Sequence, residues 1–172
     1  GNDNKGNDRT AVCCLSSLNL ETYDEWKDES QFIEDVMRFL DNVMSDFINK
    51  APDTFKDAKY SAMRERSVGL GVMGLHSFFQ QKGIPFGSVM SKVWNQKIFK
   101  HIHEKANEAS VKLAEERGPC PDAEEYGIKE RFSNKTAIAP TASISVICGG
   151  ASPGIEPIAA NSYTHKTLSG SF

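Results

Sequence analysis

The longest helical pattern in the chain limits its fold more than any other feature. From residue 88 to residue 117 there is no Gly or Pro, and apolar residues recur every three or four positions, as they do on one face of a helix. The predicted buried face consists of Met90, Trp94, Ile98, Ile102, Ala106, Ala109 and Leu113. Gly118, Pro119 and Pro121 end the pattern. A chain of 172 residues is about one domain and can bury a core against this helix.

Shorter patterns predict a mixed α and β domain in which helix dominates. Residues 30–49 repeat the helical spacing with one apolar stripe, and residues 75–81 form a second, shorter helix. The acidic segment 122–130 is expected to contribute one more helical piece. The run 11–20 is rich in strand formers and predicts a buried strand, and 136–139 is a short strand-like run.

Composition and charge exclude several classes of protein. The formal net charge is -3 and the pI is about 5.8, so no basic surplus indicates a nucleic-acid partner. No apolar run approaches the ~20 residues that span a bilayer, which predicts no membrane partner. Residues 1–10 are polar, which argues against a signal peptide and predicts a flexible N-terminal segment. The missing initiator Met and the uncapped end at Phe172 are what a piece of a longer protein is expected to show.

The glycines at positions 69, 71 and 74 fit the dinucleotide-binding pattern G-x-G-x-x-G. That pattern needs a buried strand before it, whereas residues 63–67 are charged where a central strand is apolar. The glycines are therefore interpreted as positions of close helix packing. A nicotinamide-dependent oxidoreductase is kept as a weaker alternative.

The histidines and cysteines predict no metal site. His101 and His103 lie two apart on the long helix and so face different directions. Cys13 and Cys14 are adjacent, and adjacent cysteines form only a strained disulfide. In a strand their side chains point to opposite faces, which favours one working thiol facing a cavity and one thiol that packs. Four cysteines without a disulfide framework make a reducing, cytoplasmic setting the default.

The segment from residue 140 to residue 145, Pro-Thr-Ala-Ser-Ile-Ser, has the properties of an anion cradle. Small side chains leave backbone N–H groups accessible, hydroxyl groups add donors, and a helix starting at Ser143 would add a favourable partial charge. An ordinary Ser/Thr-rich turn has the same composition. The residues alone leave both interpretations open.

Five segments taken in order resemble the large, catalytic subunit of the ribonucleotide reductases, with the aerobic, diphosphate-using type fitting best. They are residues 11–20, 63–74, 131–145, 154–157 and 163–170. The resemblance implies an α/β fold, a barrel of ten strands built from two five-stranded halves. Residues 11–172 would supply a partial, helix-rich barrel domain, which alone would leave sheet edges unpaired.

The resemblance also implies chemistry, namely reduction of ribonucleoside diphosphates to deoxyribonucleotides for DNA synthesis by a thiyl-radical route. By register, Cys13 is one of two redox thiols. Substrate phosphate binding carries over to Pro140, Thr141, Ala142, Ser143 and Ile144, largely through backbone N–H groups. No metal site and no bound cofactor are expected on this chain.

The remaining partners are also expected from the resemblance. A metal-containing small subunit would supply the radical, and thioredoxin or glutaredoxin would reduce the whole enzyme. The thiyl-radical cysteine and the second redox thiol would lie in other segments of the large subunit, so the chain is expected to be inactive alone. The alternative is a non-catalytic module that complements a split barrel and folds only on docking.

Overall fold

The computed structural model describes residues 1–160, 162, 164, 166–167 and 170–171. In chain order, the helices are α1 (Tyr23–Trp26), α2 (Phe32–Lys50), α3 (Lys56–Glu65), α4 (Leu75–Gln81), α5 (Val89–Arg117), α6 (Pro121–Glu124) and α7 (Ala142–Ile147), with 3-10 turns at Leu20–Thr22 and Asp53–Phe55. The strands are β1 (Leu15–Asn19), β2 (Gly69–Met73), β3 (Lys166–Thr167) and β4 (Gly170–Ser171). β1 pairs with β2, and β3 pairs antiparallel with β4.

The chain divides into two compact units. The first comprises Gly1–Ser16, Gln31–Leu70 and Ile102–Ala137, and the second comprises Ser17–Ser30, Gly71–His101 and the residues described from 138 onward. The chain passes from one unit to the other within β1, β2 and α5. Of these elements, β2 and α5 contribute buried residues to both units.

The core of the first unit lies between α2 and the C-terminal part of α5. Its fully or nearly buried side chains include Ile33, Met37, Leu40, Met44, Ile102, Ala106, Leu113 and Phe132. Their spacing along α2 and α5 is helical, so each helix presents one continuous apolar face. α2 ends at Lys50 because Ala51 is extended and Pro52 follows.

The second unit is built around aromatic rings. Tyr23 packs edge-on against Trp26 and Phe78, with ring centroids 4.9 and 5.8 Å away. Phe78 also packs edge-on against Trp94 at 5.3 Å, and Phe79 is buried beside it. Edge-to-face contacts of this kind stabilise an aromatic core beyond the area that they bury.

Three helices, α2, α4 and α5, follow the sequence prediction closely, whereas α3 was not predicted. α4 has the predicted bounds 75–81, and α2 and α5 begin and end within two residues of theirs. The predicted buried face of α5 is confirmed from Ile98 to Leu113, but Trp94 is only half-buried and Met90 is 52% exposed. The segment 122–130 is helical only at its start, in α6.

The interpretation of the glycine-rich stretch as helix packing was wrong. Gly69–Met73 is the strand β2, and all five of its residues are buried. A Cβ on Gly69 would lie 2.4 Å from a methyl of Leu15 and 2.8 Å from the Cβ of Ala137. The glycine therefore permits close approach to β1 and to the segment at Ala137, where Leu70 and Thr136 form a parallel bridge.

The first ten residues form a turn closed by a bridge between Asn2 and Asp8. The carboxylate of Asp3 accepts hydrogen bonds from the backbone N–H groups of Lys5 and Asn7 and from the Tyr60 hydroxyl. The side-chain amide of Asn7 also donates to this carboxylate at 3.1 Å. The bonds from Asn7, first among them the one from its side chain, hold the pKa of Asp3 well below its usual value, with smaller contributions from Tyr60 and Lys5. The flexibility expected of residues 1–10 stays a prediction.

None of the helices in the described part of the chain is both long and apolar enough to cross a membrane.

Candidate functional site

Cys13 and Cys14 lie just before β1 in the first unit, and they differ in exposure. Cys13 is exposed, whereas Cys14 is half-buried with its thiol 3.6 Å from the carbonyl oxygen of Leu40 in α2. Burial raises the pKa of Cys14, although the positive charge of Arg66 opposes the shift. One thiol is thus accessible and the other packs, as the alternation of an extended chain requires.

The backbone around the two cysteines is fixed by β2. The N–H of Gly69 donates to the carbonyl oxygen of Cys14 at 2.9 Å, and the N–H groups of Val68 and Leu70 donate to the carbonyls of Asn134 and Lys135. Cys14 is therefore bonded to β2 at the point where β1 begins.

A cavity of about 510 Å³ lies beside the cysteines in the first unit. It is lined by Val12, Cys13, Cys14, Leu15, Phe39, Leu40, Val43, Met44 and Phe47. Phe39 is 62% exposed and Leu15 is 48% exposed, so the walls present apolar surface to solvent. The half-buried thiol of Cys14 contributes to this apolar wall, in keeping with its raised pKa.

The predicted phosphate loop, residues 140–144, lies in the second unit. Pro140, Ser143 and Ile144 are exposed, Ala142 is half-buried and Thr141 is buried. The helix begins at Ala142 in α7 and not at Ser143 as the sequence suggested. Thr141 precedes it in the left-handed region, with φ 53° and ψ 24°, a conformation that is uncommon for a residue with a branched side chain.

The N–H groups of Ala142, Ser143 and Ile144 donate to no group within the described part of the chain. The first N–H groups of a helix have no partner within the helix itself. The Thr141 hydroxyl is already engaged, because its oxygen accepts the N–H of Gly154 at 2.7 Å. The accessible donors at this loop are therefore backbone groups, with the exposed Ser143 side chain beside them.

Residues that the sequence did not single out bond to the segment that follows α7. Ser77 at the start of α4 and Ser152 exchange hydrogen bonds between their N–H groups and side-chain oxygens, at 3.1 and 2.9 Å. The Nδ1 atom of His76 accepts the N–H of Ile158 at 2.7 Å. Ser77, Ser152 and His76 lie outside the segments of the family resemblance, whereas Gly154, which donates to Thr141, lies within one of them.

No group of three or more His, Cys, Asp or Glu side chains is arranged to hold a metal within the described ranges. His101 approaches the hydroxyl of Tyr23 at 3.2 Å, and His103 approaches the side-chain amide of Asn107 at 3.0 Å. The two imidazoles thus belong to different local contacts.

The glycine pattern is not arranged as a nucleotide-binding turn. Gly69 and Gly71 lie within β2, and only Gly74, with φ 79°, lies at the strand-to-helix turn. A dinucleotide-binding motif places its glycines in that turn, so that the backbone can approach a pyrophosphate. The nicotinamide alternative is not favoured.

The sequence matches the ribonucleotide reductase barrel domain over residues 3–132 and 122–172. The chain belongs to the ribonucleotide reductase barrel-domain family. The predicted fold class, a helix-rich part of an α/β barrel of the ribonucleotide reductase type, is confirmed by this match and by a solved structure. That structure is the Actinobacillus ureae class Id ribonucleotide reductase alpha subunit, with a TM-score of 0.85 and 42% identity over 91% of this chain and 30% of that one.

Curated ribonucleotide reductases are also similar in sequence. The ribonucleoside-diphosphate reductase large subunit of Invertebrate iridescent virus 6 is 52% identical over 95% of this chain and 17% of that protein. The vitamin B12-dependent ribonucleoside-diphosphate reductase of Thermoplasma acidophilum is 36% identical over 92% of this chain and 21% of that protein. The chain therefore spans well under a third of the length of these relatives.

The last part of the resemblance covers residues 163–170, and half of it, namely Tyr163, His165, Leu168 and Ser169, lies outside the described residues.

Proposed function

We propose that this chain is the part of a ribonucleoside-diphosphate reductase large subunit that contributes one redox thiol and the substrate-phosphate loop. The observation that carries the proposal is the exposed thiol of Cys13, next to a packed Cys14, in a chain that belongs to the reductase barrel family. Activity requires the other segments of the large subunit, because a second thiol must complete the redox pair.

The proposed role of Cys13 is to supply half of the reducing equivalents. In the overall reaction, two thiols and a ribonucleoside diphosphate give a deoxyribonucleoside diphosphate, one disulfide and one water. The 2′ hydroxyl leaves as the water, a hydrogen takes its place on the 2′ carbon, and the two sulfurs become bonded to each other. A thiyl radical elsewhere in the subunit removes the 3′ hydrogen at the start and returns it at the end.

The proposed role of residues 140–144 is to hold the diphosphate. Family membership supports this assignment, and so do the N–H groups of Ala142, Ser143 and Ile144, which donate to no other described group. Phosphate oxygens accept from backbone N–H groups without requiring a charged side chain. The Thr141 hydroxyl and the Pro140 ring are expected to shape the turn.

The proposed partners follow from the same assignment. They are a ribonucleoside diphosphate, the remaining large-subunit segments, and a source of the initiating radical. A metal-containing small subunit is the proposed source, although similar reductases include vitamin B12-dependent proteins. Thioredoxin or glutaredoxin is the proposed reductant of the resulting disulfide, and four free thiols are in keeping with a reducing, cytoplasmic setting.

Reconstitution tests the proposal. The chain is mixed with the remaining large-subunit segments and the small subunit, and formation of deoxyribonucleotide from a ribonucleoside diphosphate is measured beside assembly. We expect product from the wild-type chain, none from Cys13→Ser, and product from Cys14→Ser, the matched control one residue away.

A confirmed complex that forms no product with any chain would overturn the catalytic role. That result would favour the structural complementation module. Loss of product with Cys14→Ser alone would assign the thiol to the neighbouring residue.

A further inference from the structure

We propose that Ser77, Ser152 and the hydroxyl of Thr141 form a lock that fixes the geometry of residues 140–144. In this view the three groups are positioning groups and not phosphate ligands. The inference rests on the proposed function, because it assigns a purpose to the shape of the proposed phosphate loop. All of the residues involved lie in the second unit.

The first part of the lock ties the segment after α7 to the start of α4. The N–H of Ser77 donates to Ser152 Oγ at 3.1 Å, and the N–H of Ser152 donates to Ser77 Oγ at 2.9 Å. The N–H of Gly74 donates to the carbonyl oxygen of Ser152 at 2.7 Å. Ser77 is 7% exposed and Ser152 is 2% exposed, so water does not replace a lost partner and the bonds are hard to break.

The second part connects Ser152 to the loop through two residues. Pro153 follows Ser152 and has a fixed φ, and Gly154 follows Pro153. The N–H of Gly154 donates to Thr141 Oγ1 at 2.7 Å. Because this connection is short and has few free torsions, a displacement of Ser152 also displaces the side chain of Thr141.

Gly154 is fitted closely to this position. Its φ is 49°, and a Cβ there would lie 2.6 Å from a carboxylate oxygen of Glu156 and 3.3 Å from the carbonyl oxygen of Ala139. Gly150 also has a positive φ, yet a Cβ on it would meet nothing within 4 Å. The backbone at Gly154 therefore leaves less room for a side chain than the backbone at Gly150 does.

Thr141 is the point at which the lock acts on the loop. It is a non-glycine residue at φ 53°, a strained conformation that persists where surrounding contacts impose it. Its hydroxyl holds Gly154, and its carbonyl oxygen accepts the N–H of Ser145 at 2.9 Å. The left-handed turn at Thr141 sets the direction of the N–H groups that follow, from Ala142 to Ile144.

The test measures kcat and KM for a ribonucleoside diphosphate in the reconstituted enzyme. Thr141→Val removes the hydroxyl and keeps the size of the side chain, and we expect it to raise KM about ten-fold, the effect of losing one buried hydrogen bond. The value of kcat at saturation should change less, because the loop holds substrate and transition state alike. Thr141→Ser keeps the hydroxyl and should retain KM within about two-fold of wild type.

Two further variants separate positioning from loss of stability. Ser152→Ala should raise KM in the same direction as Thr141→Val, although Ser152 is not among the proposed ligands. Ser88→Ala removes the hydroxyl that accepts the N–H of Ser91 at the start of α5, at 3.2 Å. It is expected to lower the unfolding temperature without changing KM.

Hydrogen exchange supplies a readout that does not depend on turnover. Peptides covering residues 150–158 should exchange faster in Thr141→Val and in Ser152→Ala than in wild type or Thr141→Ser. Unchanged exchange and unchanged KM in Thr141→Val would overturn the lock, and so would a change in exchange without a change in KM.

The failure of the proposed function looks different. In that case the assembled wild-type enzyme does not bind the diphosphate at all. That result overturns the phosphate-binding role of residues 140–144 and, with it, the role of the lock. If the wild-type enzyme binds substrate and the variants match it, only the lock is overturned.

Discussion

Cys13 and Cys14 are neighbours in the chain, yet their thiols are expected to react at different rates. Cys13 and Cys148 are exposed, Cys14 is half-buried and Cys120 is fully buried. Burial raises the pKa of Cys14 and of Cys120, which lowers the fraction of reactive thiolate near neutral pH. We expect iodoacetamide to modify Cys13 and Cys148 first, Cys14 later and Cys120 last, as followed by mass spectrometry.

A sample unfolded in urea provides the control for this order, since all four thiols should then react at similar rates. Modification of Cys14 before Cys13 in the folded chain would contradict the packing described for the two residues.

Asp41 is a second residue whose role depends on its surroundings. It is fully buried, and its carboxylate oxygens accept hydrogen bonds from Arg66, Arg117 and Arg131 at 2.7–2.9 Å. Burial alone would raise the pKa of Asp41, but the bond from Arg131 and the charge of Arg66 hold it below its usual value. One carboxylate thus joins α2, the residue after α3, the end of α5 and the segment at residue 131.

Asp41→Asn is expected to lower the free energy of unfolding by about 3–5 kcal/mol, because it leaves the buried guanidinium group of Arg66 without its counter-charge. Asp46→Asn is the matched control on the same helix. Asp46 pairs with Lys50 at 2.6 Å, but both side chains are largely exposed, so that change should be below about 0.5 kcal/mol. Urea unfolding of the two variants measures the difference, and equal effects would contradict the role of Asp41.

At the scale of the elements, the pairing of β1 with β2 depends on the absence of a side chain at Gly69. In Gly69→Ala the new methyl would meet Leu15, which can move, and the Cβ of Ala137, which cannot. We expect a loss of about 1–3 kcal/mol, typical of overpacking in a core, and a lower unfolding temperature. Gly87→Ala is the control, because a Cβ there meets nothing within 4 Å; comparable losses in both variants would contradict the argument.

A comparison of α4 and α5 with β2 explains why some elements could be predicted from the sequence and others could not. α4 and α5 have continuous apolar faces and are followed by Gly and Pro, so local spacing determines them. β2 has neither the alternation of a half-buried strand nor a long apolar run, because three of the six residues from Gly69 to Gly74 are glycines. It is a strand because β1 and the segment at Thr136 bond to it.

At the scale of the whole molecule, paired carboxylates should make the chain sensitive to acid. Hydrogen bonds from Lys27 and Lys82 lower the pKa of Asp24 to about 2. The pKa of Glu34 is also lowered, by Lys112 and Arg38, as is that of Asp41. A carboxylate whose pKa is lower in the folded state stabilises the fold above its unfolded pKa of about 4, and this stabilisation is lost as the pH falls through the folded pKa.

We therefore expect the urea midpoint to be constant from pH 7 to about pH 5 and to fall steadily below about pH 4. Asp41→Asn should show a shallower fall, because it lacks one of the groups that must be protonated. A midpoint that rises below pH 4 would contradict the ion pairing described here.

The sequence by itself determined the helices α2, α4 and α5, the mixed α and β class and, through five ordered segments, the family. These features follow from local periodicity and from residues close together in the chain. It also indicated that one of Cys13 and Cys14 packs, because alternation is a local property, although their assigned roles remain predictions.

Tertiary structure alone decided which polar groups are hydrogen-bonded within the fold and which are accessible to solvent. Ser77 meets Ser152 across 75 positions of sequence, and Thr141 meets Gly154 across 13. Asp41 likewise meets arginines from distant parts of the chain. The polar side chains that make these contacts are also well solvated when they are exposed to water. No local sequence pattern therefore predicts the contacts. Burial selects their partners, because a hydroxyl or carboxylate removed from water must find a donor or acceptor within the fold.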